Sequence, residues 1–194
     1  MKKIYAFDFD GTLTTKDSLL AFIRFAKGDL SFVLGFLRYA HLLVLMKLGL
    51  YPNYKAKQKV FAHFFKGMTL SDFDTLCQKF TDAHRGLLRP EGVKAVEQAQ
   101  TEKAEVVIVS ASIDNWVQPF FPSVKVLGTQ IEVENGQLTG RFLTKNCYGQ
   151  EKVERILAIY PDRQTYQLIA FGDSRGDQEL LTFADEAYYK PFRL

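Results

Sequence analysis

Two carboxylates spaced two residues apart are the first chemically suggestive feature of the chain. Asp8 and Asp10 lie in Asp8-Phe9-Asp10-Gly11-Thr12, directly after the apolar run Ile4-Tyr5-Ala6-Phe7. A carboxylate can attack phosphorus to give an acyl phosphate. A second carboxylate beside it can protonate a leaving alkoxide and later deprotonate water. Further groups suited to phosphate follow. Ser110 ends Val106-Val107-Ile108-Val109, Lys152 lies in Gly149-Gln150-Glu151-Lys152-Val153, and Asp173 and Asp177 lie in Gly172-Asp173-Ser174-Arg175-Gly176-Asp177. Clustered carboxylates repel one another unless a cation sits among them, and Mg²⁺ takes oxygen ligands of this kind. Any one of these features has an ordinary structural explanation as a turn, a cap or a surface lysine. Their joint placement at the ends of apolar runs is harder to explain that way, because burying carboxylates without partners is costly.

The elements that must position them can be read from periodicity. Ile4–Phe9 reads as a buried strand, as do 106–109, 124–127, 167–171 and 187–189. From Asp17 to about Arg85 the pattern is helical. The expected helices are 17–27, 30–48, 53–65 and 71–84, with Asp17 or Ser18 capping the first and Ser71 the last. Helices are expected again at 90–102, 150–159 and 177–183, with a short one opening at 112–114. Asn135-Gly136 between Ile131-Glu132-Val133-Glu134 and Gln137–Phe142 signals a hairpin. Strands alternating with helices imply a parallel, Rossmann-like sheet flanked by helices. The expectation is an α/β core of residues 1–14 and 87–194, a small β-hairpin, and an all-helical cap over 15–86 inserted after the first strand. In such sheets sites form beyond the carboxyl ends of the strands, where Asp8, Asp10, Ser110 and Asp173 all fall. Ser110, with the amides that follow it, is expected to hold phosphate at a helix start.

These four motifs, in this order over residues 4–190, resemble those of the haloacid dehalogenase superfamily. The helical insert resembles the cap of its phosphoserine-phosphatase-like branch. The resemblance implies a Mg²⁺-dependent phosphatase with Asp8 as nucleophile and Asp10 as general acid and base. It implies a metal set drawn from Asp8, Asp10, Asp173 and Asp177, and phosphate held by Gly11, Thr12, Ser110, Ala111 and Lys152. Asp17 is the nearest counterpart of that branch's substrate-binding acid. Asn146-Cys147-Tyr148-Gly149-Gln150-Glu151-Lys152-Val153 also looks similar to C-type phosphatidylglycerophosphate phosphatases, which carry a very apolar cap. The implied substrate is a phosphate monoester, phosphoserine-like or borne on a lipid. A catalytically silent binding protein on the same fold is the alternative from another class.

Bulk properties narrow the rest. The chain has 194 residues, 47% of them hydrophobic, and a net charge of +3. That excludes disorder and gives no sign of a nucleic-acid partner. The two cysteines, Cys77 and Cys147, have no zinc-like spacing and fit a reducing cytoplasm. His41, His63 and His84 read as helix residues. No cleavable leader is read from the first residues. Between Leu30 and Tyr51 only Arg38, His41 and Lys47 are long polar side chains, too few for an ordinary surface helix. Either this helix packs inside the cap, or it forms an interfacial helix or apolar substrate wall at the inner membrane face, with Arg38 and Lys47 near lipid head groups.

Overall fold

A computed structural model describes residues 1–193. The elements in chain order are β1 (Lys2–Phe7), α1 (Ser18–Lys47), α2 (Asn53–Phe65), α3 (Leu70–His84), α4 (Pro90–Thr101) and β2 (Glu105–Ile113). Next come α5 (Asp114–Val117), β3 (Lys125–Thr129), β4 (Ile131–Glu134), β5 (Gln137–Phe142) and α6 (Gln150–Ile159). The chain closes with β6 (Tyr166–Gly172), α7 (Gln178–Phe183) and β7 (Glu186–Tyr189). Five strands form one parallel sheet in the order β3-β2-β1-β6-β7. The strand that carries Asp8 is therefore the central one. Its neighbours supply Ser110 and Asp173, so the groups converge beyond the carboxyl ends of the three central strands.

The predicted α/β sheet with a helical cap after its first strand is what the chain forms. The β4–β5 hairpin forms around Asn135-Gly136, both residues taking positive φ as a primed two-residue turn requires. Three local expectations need correction. β2 does not stop at Val109 but runs to Ile113, so Ser110 stands within an extended segment rather than at a helix start. Pairing with β3, which reaches Ile113 opposite Thr129, carries the strand past Val109. The cap of α3 is Thr69, whose Oγ1 accepts from Asp72 N, not Ser71. The two helices expected at 17–27 and 30–48 form α1 as a pair joined directly at Gly28, whose φ of 77° breaks the helical path.

The hairpin ties the cap to the core. Gly67 N donates to the Leu138 carbonyl at 2.8 Å, Leu138 N to that of Met68 at 2.9 Å, and Leu70 N to that of Gly136 at 2.9 Å. Aromatic rings fill the space between cap and core: Phe22 packs on Phe65, Phe73, Phe80 and Trp116. Phe22, Phe65, Phe73, Phe80 and Trp116 are all fully buried or within 1% of it, so these rings are core.

One helix is not packed as the simpler sequence reading supposed. The apolar distal half of α1 does not lie inside the cap. Leu30, Val33, Leu34, Leu37, Val44 and Leu48 are all at least half exposed. Only the opposite side of α1 meets α2, where Gly35 lets the helices approach. A Cβ on Gly35 would lie 2.2 Å from the Phe64 ring. Gly35→Val is therefore expected to destabilise the cap by ~1–3 kcal/mol, read as a lower melting temperature.

Candidate active site

Asp8 is fixed by the sheet itself. Its N–H donates to the Phe171 carbonyl at 2.8 Å, extending the β1–β6 ladder one residue past Phe7. The chain then swings through a wide turn, closed by Thr14 N donating to the Phe9 carbonyl at 3.0 Å. Gly11 makes this turn possible. Its φ is +82°, and a Cβ there would lie 2.5 Å from Asp173 Oδ2. Gly11→Ala is expected to cost ~1–2 kcal/mol of stability through the left-handed backbone alone. It should cut turnover further by displacing Asp173, so activity should fall by more than the melting temperature explains.

Lys152, in the first turn of α6, is the hub of the charged cluster. Its Nζ donates to Asp8 Oδ1 and Asp177 Oδ1, both at 2.6 Å, and it is 1% exposed. Gly149, which precedes α6, donates its N–H to the Gly176 carbonyl at 2.8 Å and so ties the start of α6 to the Asp173–Asp177 loop. That loop is built by Asp177 itself. Its Oδ2 accepts from Asp173 N, Ser174 N and Ser174 Oγ at 3.1, 2.9 and 2.8 Å. Thr12 Oγ1 donates to Asp8 Oδ2 at 3.0 Å. Thr12 thus orients the Asp8 carboxylate.

Asp8, Asp173 and Asp177 bring one carboxylate oxygen each within 4.8 Å of one another, and all three are buried. Three carboxylates against one lysine leave an excess of negative charge. A hard divalent cation with oxygen ligands would balance it. Arg193 also reaches Asp173 from the rim of the site. The Asp10 carboxylate is not part of this trio. Its Oδ1 accepts from Ser18 N at 2.6 Å and its Oδ2 from the Ser112 hydroxyl. Ser112 meets Ser18 Oγ at 3.0 Å, and Trp116 Nε1 donates to Ser18 Oγ at 3.1 Å. Asp10 therefore belongs to a separate polar network, aimed into the same cavity.

The electrostatics differ between the acids. Burial pushes the Asp8 carboxyl up to about 7, against the lowering effect of the Lys152 ammonium. Burial also raises Asp10, and the charge of Asp17 adds to it, so Asp10 is disposed to hold a proton. For Asp177 burial acts upward too, but Lys152 and the Ser174 hydrogen bonds outweigh it and hold the group below the usual carboxylate range. Lys152 is held above its ordinary value by Asp8 and Asp177 despite its burial.

A cavity of about 480 Å³ opens over these groups, lined by Asp8, Asp10, Ser110, Ala111 and Lys152, with Asp17 and Lys57 entering from the cap. Ser110 Oγ accepts from Ser112 N at 3.0 Å, which leaves its O–H free to donate. The Ala111 carbonyl is occupied by Lys57 Nζ and by Thr129 Oγ1. Asp17 caps α1 by accepting from Leu20 N at 3.1 Å. Arg38 does not line this cavity. It lies in a separate groove with Lys27, Ser31 and His63.

The sequence pattern assigns no site role to Lys57, Ser112, Ser18 or Trp116; Ser18 enters it only as a candidate helix cap. Lys57 sits in Lys55-Ala56-Lys57-Gln58-Lys59, which reads as a solvated helix face. The one clue is its spacing, three and four residues before the buried Val60 and Phe61, at the border of the packed face. Ser112→Ala removes one of the two hydrogen bonds on Asp10 and is expected to lower kcat by about tenfold. Steady-state kinetics with melting temperature as control would check it.

A family model described as haloacid dehalogenase-like hydrolase matches residues 5–182. Protein CicA of Caulobacter vibrioides (strain NA1000 / CB15N) is 34% identical over 198 residues, covering 98% of this chain and 86% of that protein. A protein of unknown function from Bordetella pertussis Tohama I superposes with a TM-score of 0.82 at 18% identity, covering 95% of this chain and 88% of the other. A phosphoserine phosphatase captured as an analogue of its phospho-aspartyl intermediate superposes with a TM-score of 0.61 at 18% identity, over 94% of this chain and 83% of that one. At these identities the two structural likenesses concern the fold.

Proposed function

Because the chain belongs to the haloacid dehalogenase-like hydrolases, we propose that it hydrolyses a phosphate monoester in two displacements at Asp8. The observation that carries this reading is the arrangement around Asp8. One carboxylate is buried, ion-paired to Lys152, oriented by Thr12, and set at the floor of a cavity that a second, differently held carboxylate also enters. The phosphoserine phosphatase of the same fold, described as a phospho-aspartyl analogue, supports the same chemistry here.

In the first displacement Asp8 attacks phosphorus, the phosphorus–oxygen bond to the alcohol breaks, and Asp10 gives its proton to the departing oxygen. In the second, Asp10 takes a proton from water as that water attacks the phosphorus of the aspartyl phosphate. This frees inorganic phosphate and returns Asp8. Lys152 and the Ser110 hydroxyl steady the phosphoryl oxygens in both steps. Asp8, Asp173 and Asp177 are the residues that would hold Mg²⁺, which when bound supplies positive charge against the phosphoryl oxygens. The helical segment 15–86 forms the cap of this site, and Lys57 is its contribution to substrate binding.

Turnover of p-nitrophenyl phosphate with and without Mg²⁺ tests the reading. Mg²⁺-dependent release of nitrophenol that stops on chelation is expected. Full activity in EDTA would remove the metal role, and no turnover of any phosphate monoester would favour a silent binding protein. Lys57→Met is expected to raise KM by about tenfold or more for a substrate with a second anionic group, with a smaller change in kcat. Equal loss with p-nitrophenyl phosphate would show that Lys57 serves the chemistry instead.

A further inference from the structure

The outward stripe of α1 has no partner in the molecule. Leu30, Val33, Leu34, Leu37, Val44 and Leu48 recur at helical spacing on one side of the helix and are between 50% and 74% exposed. Val33, Leu37, Val44 and their neighbours line an apolar groove of about 450 Å³. Solvent-exposed apolar surface of this extent marks an interaction site.

Three observations say what covers it. The first is charge. Six of the chain's 25 basic residues and none of its 22 acidic ones fall between Leu30 and Lys66. The α1–α2 hairpin is thus strongly cationic in a chain that is otherwise acidic. The second is continuity with the site. Phe36, Leu43 and Lys47 line both the outer groove and the cavity that holds Asp8, so the apolar face leads directly to the nucleophile. The third is packing. By length and composition α1 could span a bilayer, but Arg38 lies at the middle of its distal half, where a charge is costly, and its inner side is already packed on α2 through Gly35 and Phe64. A helix of this kind lies in the plane of a membrane surface.

We infer that the outer face of α1, flanked by the basic residues of the α1–α2 hairpin, docks on an anionic lipid bilayer and turns the mouth of the Asp8 cavity toward the lipid. The apolar side chains enter the interface while Arg38 and the lysines other than Lys57 meet lipid phosphates. The inference rests on the phosphatase reading only for its consequence. A phosphate monoester with a long apolar tail would reach Asp8 along Phe36 and Leu43 without leaving the membrane.

Vesicle flotation tests it, using phosphatidylcholine alone and phosphatidylcholine with phosphatidylglycerol. The protein should float with the anionic vesicles and be released from them by high salt. The double variant Leu37→Glu/Val44→Glu should weaken flotation by at least about tenfold, while its melting temperature and its turnover of p-nitrophenyl phosphate stay at the wild-type level. Wild-type protein that stays unbound in both vesicle types overturns the inference, as does a double variant that floats equally well. A dimer in sedimentation velocity that the double variant dissolves would overturn it too, because a second copy would then be what covers the face. Flotation without turnover of any phosphate monoester would sink the phosphatase reading and leave the surface standing, whereas turnover without flotation would do the reverse.

Discussion

Replacing Asp8 with Asn is expected to lower phosphatase turnover on the order of 10⁴-fold or more while leaving the protein folded. The amide keeps the size and planarity of the carboxylate but cannot form the acyl phosphate. Loss through unfolding is not expected. Burial already pushes Asp8 up to about 7 in the metal-free site, so its negative charge is a burden on the fold rather than a support. Lys152 keeps its second partner, Asp177, at 2.6 Å. The melting temperature of the metal-free variant should therefore equal or exceed that of the wild type. Turnover within tenfold of wild type would show that Asp8 is not the nucleophile.

Lys152→Met is expected to have the largest effect on stability. The side chain is 1% exposed and holds two carboxylates at 2.6 Å each. Methionine fills much of the volume but leaves Asp8 and Asp177 without their counter-charge. Breaking a buried pair by removing one partner costs ~3–5 kcal/mol. In a chain of this length that is a fall in melting temperature on the order of 10 °C. Mg²⁺ should recover part of the loss, because a divalent cation replaces the missing positive charge among the acids. A second substitution, Asp177→Asn, should recover part of it as well, by removing one of the two stranded charges. A single variant that melts within a degree or two of wild type would mean that these pairs do not hold the site together. Turnover should fall in the single variant even at temperatures where it is fully folded.

Much of this was legible in the sequence, for physical reasons that differ between elements. β6 is a short apolar run closed by Gly172 and Asp173, so its end could be placed; β1 stops at Phe7, two residues before the expected Phe9, yet Asp8 still falls at its carboxyl end. Asn135-Gly136 reads as a turn because few residue pairs tolerate two positive φ values, and the hairpin forms there. The end of β2 was misjudged because Ser110, Ala111 and Ser112 carry no local preference strong enough to stop or continue a strand. Its pairing with β3, which reaches Ile113 opposite Thr129, decides the matter. The Asp10 network escaped for a related reason. Ser18 lies far in the chain from Ser112 and Trp116, and meets them only when the cap folds onto the core. Lys57 was hidden by lysines on either side of it. The apolar pattern of α1 was plain in the sequence, but burial within the cap and exposure at an interface produce the same pattern. Only the packing of α1 on α2 through one side distinguishes them.

If Asp8 attacks phosphorus, it carries the phosphoryl group during turnover. The most direct measurement is acid-quenched peptide mass spectrometry of the enzyme during turnover of p-nitrophenyl phosphate in the presence of Mg²⁺. One phosphoryl group is expected on the peptide that contains Asp8, with fragmentation placing it on Asp8 itself. The label should build up in a Ser112→Ala or Asp10→Asn enzyme, where water is activated more slowly, and be absent from Asp8→Asn. Rapid turnover with no phosphorylated peptide, or a phosphoryl group found on any other residue, would contradict it.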